Sequence, residues 1–154
     1  MPETKPGGPG PEEKELLPER TSVWIVDDNA EHINSLLRAL KYSAGEGFQF
    51  THYQEGEQAI EEFQKLAEEQ GLMPTLILMD YKLDDRVENP KYRTGDEVIK
   101  ALQNLAQETN LTLPEIIGIS GDDKFSKKLI EAGAVKAVDK LKIFALFKEL
   151  AGQK

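Results

Sequence analysis

Residues 21–29, Thr21-Ser22-Val23-Trp24-Ile25-Val26-Asp27-Asp28-Asn29, set a short apolar run directly against a pair of carboxylates. The run is too continuous for a half-exposed strand, because a strand covered on both faces loses the alternation of apolar and polar residues. The same pattern returns at Leu76-Ile77-Leu78-Met79 before Asp80, at Ile116-Ile117-Gly118-Ile119 before Ser120, and at Ala134 to Val138 before Asp139-Lys140. Phe48-Gln49-Phe50-Thr51 does alternate, which makes the run from Phe48 to Tyr53 the expected edge strand.

Helical periods separate these runs. Ile33, Leu36, Leu37 and Leu40 fall at i, i+3, i+4 and i+7 behind Asp28 or Asn29 as a cap. Ala59, Ile60, Phe63, Leu66 and Ala67 mark a second helix closed by Gly71, and Val98, Ile99, Leu102 and Leu105 a third after Thr94-Gly95-Asp96. A fourth spans Lys124 to Ala132 through Phe125, Leu129 and Ile130, and a fifth uses Ile143, Leu146, Phe147 and Leu150. Five strands alternating with five helices predict an α/β fold with a parallel sheet covered on both faces. Residues 1–20 hold five of the eight prolines and only Leu16 and Leu17 as sizeable apolar groups after Met1. They read as a flexible N-terminal tail before a domain over 21–154, because such a segment buries too little apolar surface to offset its ordering entropy.

Composition narrows the chemistry. The 154 residues contain no cysteine and two histidines, so disulfides, cysteine-ligated metals and thiol catalysis are excluded and a histidine metal site is not expected. With 19 Lys and Arg against 28 Asp and Glu, the net charge of −9 disfavours nucleic acid. No apolar run approaches a membrane span and no secretory start is present, so the expected location is cytoplasmic. His32 and His52 are expected to be ordinary surface residues, and Trp24 to pack in the core.

In an open α/β sheet, sites form beyond the carboxyl ends of the strands. Asp27 and Asp28, Asp80, Ser120 and Lys140 occupy those places. Carboxylates that share a site either take up a proton or bind a cation, and a hard divalent ion such as Mg²⁺ suits an all-oxygen donor set. A hydroxyl and a lysine beside them can meet phosphate oxygens. Together these are the parts for phosphoryl transfer to a carboxylate.

At this point the residues resemble the receiver domains of two-component response regulators, over about residues 21 to 152. Val23 to Asn29 resembles the acidic-pair motif, Leu76 to Asp80 the phosphoacceptor strand, and Gly118-Ile119-Ser120-Gly121 the hydroxyl strand. Ala132-Gly133-Ala134 followed by Asp139-Lys140 resembles the approach to the conserved-type lysine. The resemblance implies a flavodoxin-like (βα)5 doubly wound fold, with a five-stranded parallel sheet of order 2-1-3-4-5. It implies phosphorylation of Asp80 from a sensor histidine kinase or phosphotransfer protein. Asp27, Asp28, Asp80 and the carbonyl of Lys82 would hold Mg²⁺, and Ser120 and Lys140 would bind phosphoryl oxygens. The chain would signal by phosphorylation-dependent binding to a downstream protein, and with no output domain after Lys154 it would act as a stand-alone receiver.

Four departures stand out. Asp84 occupies the place four beyond Asp80 where the family commonly has proline, and the loop to Gly95 is longer than usual. Leu141 follows the lysine in place of proline, and Ala137 stands where an aromatic is common. Without that ring the response would fall to other groups on the face of the fourth helix, fifth strand and fifth helix, with Lys136, Phe144 and Phe147 as candidates. Lys82 could attract a phosphorylated donor or hinder the hydrolytic water. The alternatives are a receiver-like interaction module that works without phosphorylation, and a Mg²⁺-dependent hydrolase. The hydrolase is disfavoured because dehalogenase-type phosphatases need an aspartate at the place of Lys82.

Overall fold

The apolar runs form strands because each residue finds a helix on its own face of the sheet. In the computed structural model, which describes residues 21–44, 47–84 and 88–152, these strands are β1 (Thr21–Val26), β2 (Phe48–Tyr53), β3 (Leu76–Asp80), β4 (Glu115–Ile119) and β5 (Lys136–Val138). The helices are α1 (Ala30–Ala44), α2 (Gly56–Glu69), α3 (Gly95–Glu108), α4 (Asp123–Ala132) and α5 (Ile143–Gly152). All strand pairs are parallel and the order is β2-β1-β3-β4-β5, the 2-1-3-4-5 arrangement of the flavodoxin-like class. The loose tail expected over residues 1–20 lies outside the described residues. Among the described residues no helix is long and apolar enough to cross a membrane.

Alternate residues of β1 feed two cores. Val23 and Ile25 pack with Ile33, Leu36 and Leu40 of α1 and with Ile143, Leu146 and Phe147 of α5. Trp24 and Val26 face the other way, toward Phe63 of α2, Val98, Ile99 and Leu102 of α3 and Leu129 of α4. Trp24 is buried edge-on against Tyr53, with ring centroids 5.0 Å apart. The alternating strand β2 lies at one edge, as its pattern requires, and β5 lies at the other.

Several local expectations are revised. The first helix is capped by Asn29, whose Oδ1 accepts from His32 N at 3.0 Å; the Asp28 carboxylate belongs to the acidic cluster described below. The left-handed residue after α2 is Gln70 (φ 55°), one place before Gly71, whose N–H closes the turn on Leu66 O at 2.8 Å. β5 begins at Lys136 and not at Ala134, because the Ala134 N–H is spent on Leu129 O at the end of α4. Ile130 is exposed, so α4 buries a narrower stripe than its sequence suggests. Phe147 is fully buried between Phe48 and Phe50, at 5.0 and 5.2 Å, and does not lie on an exposed face; Phe144 is half-buried and Lys136 exposed.

The register sets the strand ends level. Val26 pairs with both Tyr53 and Met79, and Ile119 pairs with both Asp80 and Val138. Residues just beyond these positions therefore emerge at one edge of the sheet. The core prediction concerns Phe147, whose ring fills the space between α5 and the edge strand. Phe147→Ala is expected to lower stability by about 3–5 kcal/mol. Urea unfolding with an unchanged denaturant slope checks it.

Candidate functional site

Beyond the strand ends, Asp27 and Asp28 leave β1, Asp80 ends β3, Ser120 follows β4 and Lys140 opens the turn after β5. One carboxylate oxygen from each of Asp27, Asp28 and Asp80 lies within 4.8 Å of the others. Lys140 Nζ stands 2.7 Å from Asp27 Oδ2 and 3.6 Å from Asp80 Oδ2. Asp28, Asp80, Lys82, Ser120, Phe125 and Lys140 line one open cavity of about 340 Å³. The sequence-derived residues thus meet in one place, with Asp27 beneath the cavity floor: it is fully buried and its Oδ1 accepts from Asn29 N at 2.8 Å.

Burial sets the electrostatics. The Asp80 carboxyl is pushed up to about 7, first by desolvation and then by the charges of Asp27 and Asp28. Lys140 and the Tyr81 N–H, which donates to Asp80 Oδ1 at 2.9 Å, pull the other way and are outweighed. For Lys140 burial works against the charged form, but its hydrogen bond to Asp27 and the charges of Asp80 and Asp27 leave the ammonium raised overall.

One predicted residue is placed differently from the simplest expectation. The Ser120 hydroxyl turns into its own loop, donating to Asp122 O at 3.3 Å and accepting from Asp122 N at 3.1 Å. Lys82 lines the cavity with an exposed side chain, and its backbone forms an antiparallel bridge with Thr94. Leu83 N–H to Arg93 O at 2.9 Å and Gly95 N–H to Tyr81 O at 2.7 Å continue that pairing. The long loop is therefore closed at its base, and the Arg93–Asp84 ion pair at 3.3 Å spans the same neck. Gly95 is required here, because a Cβ would collide with the Asp80 carbonyl.

Sequence reasoning missed four supports. His52 Nε2 lies 2.7 Å from the Asp27 carbonyl, and Gln54 Nε2 donates to the Asp28 carbonyl at 3.4 Å. Tyr81, beside Asp80, stacks on Phe125 with centroids 4.2 Å apart. Asp139 Oδ1 accepts from Leu141 N at 2.9 Å and so shapes the turn that carries Lys140, leaving Leu141 83% exposed. The position of His52 next to the end of the edge strand was the one available signal for the first of these.

No family model and no curated protein sequence matches the chain. Solved structures do. The phosphorylated cyanobacterial phytochrome response regulator RcpA is similar with a TM-score of 0.60 at 16% identity, over 85% of this chain and 91% of that one. The receiver domain of the sensor histidine kinase PA1611 from Pseudomonas aeruginosa PAO1, with a magnesium ion coordinated in its active site cleft, gives 0.60 at 18% identity over 86% and 98%. A point mutant of the receiver domain of the histidine kinase CKI1 from Arabidopsis thaliana gives 0.66 at 21% identity over 88% and 93%. The chain has the fold of the response regulator receiver domains, and its structural neighbours include many of them. The donor set at its acidic cluster suits a hard divalent cation, since it offers three carboxylate oxygens and no nitrogen or sulfur.

The raised Asp80 carboxyl has a consequence for stability. It titrates at about 7 in the fold against an ordinary 3.8, so the folded chain holds an extra proton between those values. The stability linked to that proton is complete below about pH 4 and is lost as pH rises through 7. In metal-free buffer at pH 8, Asp80→Asn is expected to be more stable than the parent chain by roughly 1–3 kcal/mol. The difference should shrink as pH falls toward 4. Melting curves across this range check it, and parallel curves for the two proteins would remove the assignment.

Proposed function

We propose that the chain, as a receiver domain over residues 21–154, accepts a phosphoryl group on Asp80 and signals by binding a protein in its phosphorylated state. The observation that carries this reading is the convergence of Asp80 with Lys140 and the Asp27–Asp28 pair at one strand edge. The fold likeness to phosphorylated and magnesium-bound receivers supports it.

The expected donor is a phosphohistidine of a sensor histidine kinase or a phosphotransfer protein, in the cytoplasm. An Asp80 carboxylate oxygen attacks phosphorus, the O–P bond forms as the P–N bond breaks, and the electron pair stays on the departing imidazole nitrogen. Asp80 must be ionised for this step, and Lys140 at 3.6 Å favours the ionised form. Asp27, Asp28 and Asp80, with the Lys82 carbonyl, would hold Mg²⁺, which supplies positive charge against the carboxylates and the phosphoryl oxygens. Lys140 carries the ammonium that can pass from Asp80 to a phosphoryl oxygen without leaving Asp27. Ser120 would give up its turn with Asp122 to donate to another of those oxygens. The new charge thereby biases an existing two-state equilibrium.

The test is intact mass after incubation with acetyl phosphate, with and without Mg²⁺. The chain is expected to gain one phosphoryl group only with Mg²⁺, and Asp80→Asn none. No gain, together with no Mg²⁺ binding, would reject the phosphoacceptor reading.

A further inference from the structure

We propose that His52 is a positioning residue: its Nε2–H holds the Asp27 carbonyl and so fixes the Asp27–Asp28 pair for a divalent cation. The inference rests on the receiver reading of the site and adds to it a support outside the cavity.

The β1–β2 ladder stops just beyond Val26. Val26 pairs with Tyr53, and one further bond runs from Asp27 N–H to Tyr53 O at 3.0 Å. In a parallel ladder the next bond would carry the Glu55 N–H to the Asp27 carbonyl. That N–H is diverted. It donates to Gln58 Oε1 at 3.3 Å, as half of the capping box that starts α2. Asp27 is fully buried, so its carbonyl needs another donor. The His52 ring supplies it at 2.7 Å. A carbonyl only accepts, so Nε2 carries the hydrogen, and the contact holds whether or not Nδ1 is also protonated. Gln54 Nε2 adds a longer contact of the same kind to the Asp28 carbonyl, at 3.4 Å.

The end of the edge strand thus grips the backbone of both acids with side chains. His52 does not line the cavity that holds Asp80 and Lys140; it lies beside Tyr53, Gln58 and Glu61 on the outer side of β2. Its effect therefore passes through Asp27. This grip matters because three like charges within 4.8 Å push the pair apart. The 27–28 peptide, once released, can rotate and carry both carboxylates with it. Groups that orient ligating residues in this way typically change metal affinity by about 10–100-fold when removed.

The test is a calorimetric Mg²⁺ titration of the full chain and of His52→Leu, His52→Asn and His52→Gln, each with its metal-free melting curve and circular dichroism. His52→Leu and His52→Asn are expected to bind Mg²⁺ about tenfold more weakly or worse. The asparagine keeps a donor but is too short to reach. His52→Gln, whose amide nitrogen reaches the place of Nε2, is expected to recover most of the affinity. A folded His52→Leu or His52→Asn with the parent's affinity overturns the proposal. So does a glutamine variant as weak as the asparagine one, since the effect would then be one of packing. If His52→Leu does not fold, the Asn and Gln pair decides alone. Absence of Mg²⁺ binding by the parent chain would overturn the underlying receiver reading instead, and this proposal with it.

Discussion

Asp27, Asp28 and Asp80 are held within 4.8 Å of one another, two of them buried, at the end of a sheet whose register leaves them nowhere else to go. Two unit charges 4 Å apart repel by about 4 kcal/mol at an effective dielectric near 20. Asp80 therefore loses solvation and faces two such neighbours, against the single opposing charge of Lys140 at 3.6 Å. The balance falls on the side of the proton, which explains a carboxyl held near neutrality. Lys140 is closer to Asp27 than to Asp80, so its charge serves the deepest carboxylate first. Asp80, at the cavity wall, is left to a proton or a cation from outside.

Such a site is only as well defined as the backbone beneath it. Each strand end hands its ladder over to a different device. After β1, Asn29 caps α1 and its N–H holds Asp27 Oδ1. After β3, the chain runs beside residues 93–95, with Thr94 and Glu97 forming a capping box at the start of α3 and Gly95 packed against Asp80's carbonyl. After β5, Asp139 caps the turn that presents Lys140. The long loop from Asp84 to Arg93 leaves this arrangement intact because its neck is hydrogen-bonded on both sides.

Much of this was legible in the sequence because it is carried by burial. Continuous apolar runs demand two covered faces, and the one alternating run suits an edge; that reading places β2 outside and the acidic residues at a common end, while β5 takes the other edge despite its apolar run. The five residues Asp27, Asp28, Asp80, Ser120 and Lys140 follow from that topology. What was not legible depends on competition between hydrogen-bond partners. Nothing in the periodicity tells that Glu55 gives its N–H to Gln58, leaving His52 to serve Asp27, so His52 reads as a surface residue. Nor does it tell that Ala134 closes α4 and shortens β5, or that Phe147 turns inward against Phe48 and Phe50. Hydrophobic pattern fixes faces; partner choice fixes ends.

The departures at Ala137 and Leu141 can be weighed on the same terms. With no ring at 137, the hydroxyl of Ser120 has no aromatic on β5 to follow it. Its contacts run the other way, to both backbone groups of Asp122. Asp122 is the cap of α4, accepting from Lys124 N at 2.8 Å and Phe125 N at 3.3 Å. Phe125 lies flat on Tyr81, and the Tyr81 N–H returns to Asp80. Asp80 and Ser120 are therefore joined through the first turn of α4 by hydrogen bonds at Tyr81, Phe125 and Asp122 and by one aromatic stack. Any movement of the Ser120 hydroxyl toward Asp80 gives up its bonds to Asp122 and so acts on that turn. In this chain the polar contacts and the rings between Asp80 and Ser120 run through the start of α4 and not across β5.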